Sequence, residues 1–377
     1  MRRYKEKDIL RLAKRINNSK RSYLLVNPLQ AKHIPVSPSE ALQMMTSLGE
    51  LVSERYGDAR LVIGFAETAT AIGAVVAKSI SDECTFIHTT REKAVGANNY
   101  VFFTEEHSHA TEQKIVADDL ETFFTATDTI VLVDDEFSTG KTLVNMVDQL
   151  RDKYPAIRDK KIVAASIINR LSEENLRRWA AASIESVCLL KLDYLDYTPS
   201  VEPISVKEAV AISEDYRSSD ALASIIVQDL PDPRLGINIS YYYEMCTSKA
   251  ELLSQSCNLQ GKDVLILGTE ECMLPALLIG KAIEDQKKVH SIMCHATTRS
   301  PIGISNIPDY PIQSGYCIHS LYDLMRNTFI YNLRPYDTVL IVSDTKAPFH
   351  RGLYDLSVAL KEQGCGEIVC LAGESDV

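Results

Sequence analysis

Apolar runs recur along this chain, and each enters a polar turn before apolar positions resume at helical spacing. Leu61-Val62-Ile63-Gly64, Thr85-Phe86-Ile87-His88 and Thr129-Ile130-Val131-Leu132-Val133 lack in/out alternation, which predicts strands buried on both faces. Lys161 to Asn169 and Val187 to Leu192 read as further strands. Behind the third run, Leu143, Val144, Val147 and Leu150 return every three or four residues, and an Ala/Val-rich helix is expected from Ala71. A helix from Glu173 to Ala182 carries the only tryptophan, Trp179, as a core residue. Strand, turn and helix in alternation predict an α/β fold on a doubly wound, mainly parallel sheet. Nearer the amino end, Ile9, Leu10, Leu12, Ala13 and Ile16 form one stripe, expected as a surface helix. A strand, Tyr23-Leu24-Leu25-Val26, then enters a loop stiffened by Pro28, Pro35 and Pro38 and carrying Asn27, Gln30, Lys32 and His33.

The carboxyl half repeats this succession. Val264-Leu265-Ile266-Leu267-Gly268 parallels Leu61-Val62-Ile63-Gly64, and His295-Ala296-Thr297-Thr298-Arg299 parallels His88-Thr89-Thr90-Arg91. Asp337-Thr338-Val339-Leu340-Ile341-Val342-Ser343-Asp344 parallels Asp128-Thr129-Ile130-Val131-Leu132-Val133-Asp134-Asp135. The blocks keep their order and nearly their separations. Two sheets of the same strand order are therefore expected, the second a degenerate duplicate of the first; convergence of two unrelated α/β domains is the alternative. The expected division is a domain over 1–200, a linker or hinge over 201–240 marked by Pro203, Pro231 and Pro233, and a second domain over 241–377.

Composition narrows the class. A chain of 377 residues is too long for one ordinary core, and its charged and apolar fractions are those of a soluble protein. No apolar run approaches membrane-spanning length, and the basic amino end lacks a signal peptide's apolar core, so a cytoplasmic location is expected. Nine cysteines without a Cys-x-x-Cys pair favour reduced thiols over disulfides or structural zinc. A net charge of -11 argues against general nucleic-acid binding, though not against a small anionic substrate.

The chemistry concentrates where the third strand ends, in Asp134-Asp135-Glu136-Phe137-Ser138-Thr139-Gly140-Lys141-Thr142. Backbone N–H groups, hydroxyls and a helix N-terminus together make a phosphate cradle. Gly140-Lys141-Thr142 resembles the tail of an ATP-binding P-loop, but that motif needs a glycine where Asp135 stands. Adjacent carboxylates repel a nucleotide's phosphates and suit a vicinal diol, which can donate two hydrogen bonds. A phosphate at one end and a diol at the other describe a 5-phosphoribosyl group.

On these residues the chain resembles type I phosphoribosyltransferases of the orotate kind, whose motif binds 5-phosphoribosyl 1-pyrophosphate (PRPP). The resemblance implies that Asp134 and Asp135 hold the ribose hydroxyls, and with them PRPP-bound Mg²⁺, while Ser138, Thr139, Gly140, Lys141 and Thr142 hold the 5-phosphate. The first strand's loop, with Ala66, Glu67, Thr68 and Ala69, would wrap the pyrophosphate with small residues and open N–H groups. Glu67 is unusual there unless it meets Mg²⁺ through water. Arg91, and less strongly Lys93, would balance charge on the leaving pyrophosphate. His107 and His109 fall in a segment matching the family's mobile flap, where they could donate to pyrophosphate, handle an acceptor proton, bind metal or simply be solvated. Lys32 matches a basic residue of the amino-terminal hood. Glu136 departs from the family, which has an apolar residue there; it would face solvent or the acceptor. In the second half Pro348 removes a donor from the equivalent turn, which argues against ordinary PRPP binding. Thr298-Arg299-Ser300-Pro301 resembles the TRSP domain that follows such transferases in bacterial tellurium-resistance and stress gene clusters. The implied activity is Mg²⁺-dependent transfer of phosphoribosyl from PRPP to a nitrogenous base or similar small acceptor, in making a nucleoside-like metabolite. A PRPP-binding regulator without turnover is the alternative, as is the reverse cleavage of a nucleotide. No nucleic-acid or membrane partner is expected, and a homodimer is compatible with the resemblance.

Overall fold

A computed structural model describes residues 3–18, 21–103, 113–212, 223–345 and 350–373. The chain forms two compact units, one of Met1–Tyr4, Leu42–Leu195 and Pro231–Glu244, the other of Lys5–Ala41, Asp196–Leu230 and Met245–Val377.

The first unit is built on a six-stranded sheet in the order Ile237–Asn238, Thr85–His88, Leu61–Gly64, Thr129–Phe137, Lys161–Asn169, Ile184–Lys191. All pairings are parallel except the first, where Ile237 opposes Phe86 and Asn238 opposes Thr85. The central strand is buried from Thr129 to Val133 and half-buried from Asp134 to Glu136, so its apolar run anchors it and its acidic tip emerges at the carboxyl edge. Strands buried on both faces lack alternation because helices cover the sheet. Leu132, Leu143, Met146, Val147 and Trp179 share one core cluster, with Trp179 2% exposed. Helix Thr70–Ile80 lies close to the sheet: a Cβ on Gly73 would stand 3.0 Å from the Cα of Gly64. A hairpin of Tyr100–Phe103 and Gln113–Val116 completes the unit.

The second sheet runs Ser224–Val227, Glu367–Ala372, Thr338–Val342, Asp263–Gly268, Ser291–Ala296, all parallel. Beyond its last strand, Val36 bridges Cys294 antiparallel, as Ile237 opposes Phe86 in the first sheet. The order of the four core strands therefore repeats from unit to unit, as does the hairpin Gly315–His319 with Asn327–Tyr331, but the far edge differs: Ile184–Lys191 follows its core strands in the chain and Ser224–Val227 precedes them.

Three local expectations change. Only Glu6–Ile9 of the amino-terminal stripe is helical; Arg11–Lys14 pairs antiparallel with Tyr23–Val26, whose backbone groups satisfy it. Residues 201–240 are not a plain linker, because Ser224–Val227 adds to one sheet and Ile237–Asn238 to the other. Residues 5–41 belong to the second unit, which divides the chain differently from the expected 1–200 and 241–377. All nine cysteines are free thiols, and among the described residues no helix is long and apolar enough to cross a membrane.

Candidate active site

The acidic tip of the central strand meets the loop of its neighbour. The Thr68 hydroxyl donates to Asp135 Oδ1 at 2.9 Å, and the Asp135 N–H donates to Asp134 Oδ1 at 2.8 Å. Desolvation, and then the adjacent Asp135 charge, raise Asp134 well above the ordinary carboxylate range. A cation or a set of hydroxyl donors at the tip would restore its ionised form.

Past the acids the chain turns through Gly140, whose φ of 66° is left-handed. A Cβ there would also stand 2.4 Å from Trp179 Nε1, so both conformation and space require glycine. Helix Lys141–Lys153 follows at once; Gly140 supplies no side-chain cap, and the Lys141 N–H donates to Thr139 Oγ1 at 3.5 Å. Ser138 and Thr142 are half-buried, whereas Thr139 and Lys141 are exposed.

The neighbouring loop is more self-satisfied than expected. The Ala66 N–H donates to Thr89 Oγ1 at 2.9 Å and the Ala69 N–H to Phe65 O at 2.9 Å, so neither amide is open to a ligand. Gln113 clamps the loop, donating to Ala66 O at 3.1 Å and accepting from the Thr89 hydroxyl at 3.1 Å. The Ala66–Glu67 peptide is cis. Thr68, the residue after Glu67, faces the acid pair through its contact with Asp135.

Arg91 occupies the turn after the Thr85–His88 strand, held where Thr90 and Lys114 exchange backbone hydrogen bonds of 2.7 and 3.0 Å. Glu136 neither faces open solvent nor stands unpaired: it lies 3.5 Å from Arg170 Nε, whose side chain is fully buried and whose Nη2 donates to Leu195 O at 2.6 Å. A charge in an apolar position survives because a buried partner meets it. His107 and His109 lie outside the described residues. Lys32 is not part of this unit. Fully buried in the second, it donates to Glu270 O at 2.8 Å and Thr297 O at 2.9 Å. Sequence reasoning passed over Arg234, 4% exposed, whose Nε donates to Thr90 Oγ1 at 3.2 Å. Only the prolines around it set it apart in the sequence.

The second unit rebuilds this scaffold with different side chains. The Glu270 N–H donates to Thr297 Oγ1 at 3.0 Å, as Ala66 does to Thr89, and Thr298 bridges Phe329 as Thr90 bridges Lys114. Where Ala66 has a methyl group, Glu270 has a buried carboxylate. It accepts from Arg299 Nε at 2.8 Å, Arg326 Nη2 at 2.7 Å and Ser320 Oγ at 2.5 Å. Glu271 takes the other side of Arg299 at 3.3 Å, and Asp344 accepts from the Tyr322 hydroxyl at 2.5 Å.

Among the described residues no three His, Cys, Asp or Glu side chains gather into an all-protein metal cage. Two hard carboxylates at one strand tip fit Mg²⁺ instead, which keeps several waters and shares its shell with a substrate's oxygens. Asp134 and Asp135 would hold it in that way.

A sequence model of a phosphoribosyl transferase family matches residues 9–194, and a model of the TRSP domain C-terminal to that family matches residues 234–355. A search of curated proteins finds no match. Among solved structures, adenine phosphoribosyltransferase from Thermoanaerobacter pseudethanolicus is 13% identical with a TM-score of 0.36, over 49% of this chain and 97% of that one. Orotate phosphoribosyltransferase from Aeropyrum pernix is 17% identical with a TM-score of 0.32, over 48% and 88%.

Proposed function

Since the chain belongs to the phosphoribosyl transferase family and carries its TRSP domain, we propose that the first unit transfers 5-phosphoribosyl from PRPP to a ring nitrogen of a heterocyclic base or a similar small acceptor. The acceptor's lone pair forms a bond to ribose C1 as the C1–oxygen bond to pyrophosphate breaks, and pyrophosphate departs with that electron pair. The acceptor's proton passes to solvent or to a base on the acceptor side. Charge on C1 at the transition state resembles that of glycoside cleavage.

Asp134 and Asp135 accept hydrogen bonds from the ribose hydroxyls, and their negative charge favours the developing cation. The Ser138–Thr142 turn and the following helix N-terminus hold the 5-phosphate. Glu67, Thr68 and Arg91 border the pyrophosphate, with Arg91 offsetting its growing charge. Asp134 and Asp135 would hold Mg²⁺, which would supply charge neutralisation for the departing pyrophosphate. Most of the rate then comes from positioning and preorganised charge. The product is a nucleotide-like compound suited to biosynthesis of a nucleoside-like metabolite.

The observation that carries this reading is the 2.9 Å contact between Thr68 and Asp135, which joins the loop after Leu61–Gly64 to the acid pair of the neighbouring strand. The test is incubation with PRPP, Mg²⁺ and a panel of bases while pyrophosphate is followed. Base-dependent release is expected. PRPP binding without release would favour a regulator instead, and failure to bind PRPP would end both readings.

A further inference from the structure

We propose that residues 231–238 complete the first unit's site and that Arg234 is a positioning residue for Arg91, an inference that rests on the reading just given. The segment lies outside the region matched by the transferase family, and Arg234 is the first residue of the TRSP match. It is nevertheless built into the first unit. Ile237 and Asn238 extend the sheet beside Thr85–His88, and the Ile239 N–H donates to Cys84 O at 2.9 Å. Gly236, at a φ of 83°, packs so tightly that a Cβ would stand 2.5 Å from the Phe123 ring.

This anchoring sets the short turn Pro233–Leu235 beside Thr90. Arg234 Nη1 pairs with Asp232 Oδ1 at 3.1 Å, while its Nε donates to Thr90 Oγ1 at 3.2 Å. The same oxygen accepts the Glu92 N–H at 2.8 Å. A hydroxyl oxygen offers two lone pairs, so Thr90 Oγ1 is fully engaged as an acceptor and ties the turn on both sides of Arg91. A turn ordered before the ligand arrives presents the Arg91 guanidinium in one place and removes that ordering cost from binding.

The arrangement is reciprocal, which separates it from a chance contact. Val36 borders the second sheet at Cys294 just as Ile237 borders the first at Phe86, and each comes from the chain ahead of the other unit's main body. Residues 5–41, which include Lys32, thus belong to the second unit, and residues 231–238 to the first. A transferase site in this chain therefore needs the start of the region matched as TRSP.

The test uses the full-length chain with Arg234→Met, Thr90→Val and the two combined. Either single change is expected to raise KM for PRPP about tenfold or more and to speed hydrogen exchange at the Glu92 amide. The double variant is expected to be no worse than the worse single, since both remove one contact. Unchanged exchange at Glu92 in Arg234→Met, or effects that multiply in the double variant, would overturn the proposal. Arg234→Gln carries the test should Arg234→Met fail to fold. A wild-type chain that never turns over PRPP would defeat the substrate reading alone, because the exchange measurement judges the positioning claim without it.

Discussion

At matching positions beyond their first core strands, the first unit has Ala66 and the second has Glu270, and the two backbone amides make the same bond to a threonine hydroxyl. What separates the crevices is the side chain. Glu270 and Glu271 hold Arg299 from two sides, and Arg326 and Ser320 complete the shell. Arg91 occupies the position of Arg299, with Ala66 where the second unit has Glu270 and Glu67 where it has Glu271. The second contrast lies at the third strand: Asp134-Asp135 in the first unit against Ser343-Asp344 in the second, where Asp344 is already bonded to Tyr322. One strand-end scaffold thus carries two different sets of side chains, and the difference is a handful of charges.

The comparison breaks most visibly at the acid pair. Asp134→Asn with Asp135→Asn is expected to cut PRPP-dependent pyrophosphate release by about a hundredfold or more, whereas Asp344→Asn should leave it within about twofold. Equal losses from both would erase the distinction. Next comes transplantation: Ala66→Glu copies the second unit's carboxylate beside Arg91. Opposed like charges cost several kcal/mol, so KM for PRPP should rise about a hundredfold; unaltered KM would remove Arg91 from the pyrophosphate site. In the second unit, Glu270→Ala strands two arginines and should cost roughly 3 kcal/mol in chemical denaturation. A neutral result there would mean that the network is dispensable.

Protonation sharpens the contrast by sign. Burial first, then Lys32, His295 and Arg15, lower His33 to about 3, and burial lowers His295 to about 4. The unfolded chain therefore binds more protons between those values and the ordinary histidine pKa near 6.5, so the second unit should lose stability as pH falls below about 6.5. Asp134 runs the other way. Its raised pKa means the folded state holds a proton the unfolded chain gives up, so stability is lost as pH rises from near 3.9 through the folded value. Asp134→Asn should therefore raise Tm slightly at pH 7 while lowering activity, with the gain vanishing in acid. Thermal melts across pH 4 to 8, with peptide-level hydrogen exchange to assign each unit, check both.

Much of this was legible along the chain. The run into Asp134-Asp135, the Gly140 turn, Trp179 as core and the repeated blocks are local patterns, and adjacency in sequence carries them. What was illegible depends on long-range pairing. A strand as short as Ile237–Asn238 has no periodicity to read, and nothing near Arg234 names Thr90 as its partner. Lys32 reads as a hood residue until Glu270 O and Thr297 O are seen to accept from it. The loop amides of Ala66 and Ala69 looked available because the acceptors that occupy them, Thr89 and Phe65, are set by the fold rather than by composition. Glu136 was ambiguous for the same reason, with its answer in Arg170.

The most direct measurement is calorimetric titration of the full-length chain with PRPP and Mg²⁺. One binding site per chain is expected, lost in the Asp134→Asn, Asp135→Asn variant and kept in Asp344→Asn. Two sites per chain, or a single site that survives loss of the acid pair, would contradict it.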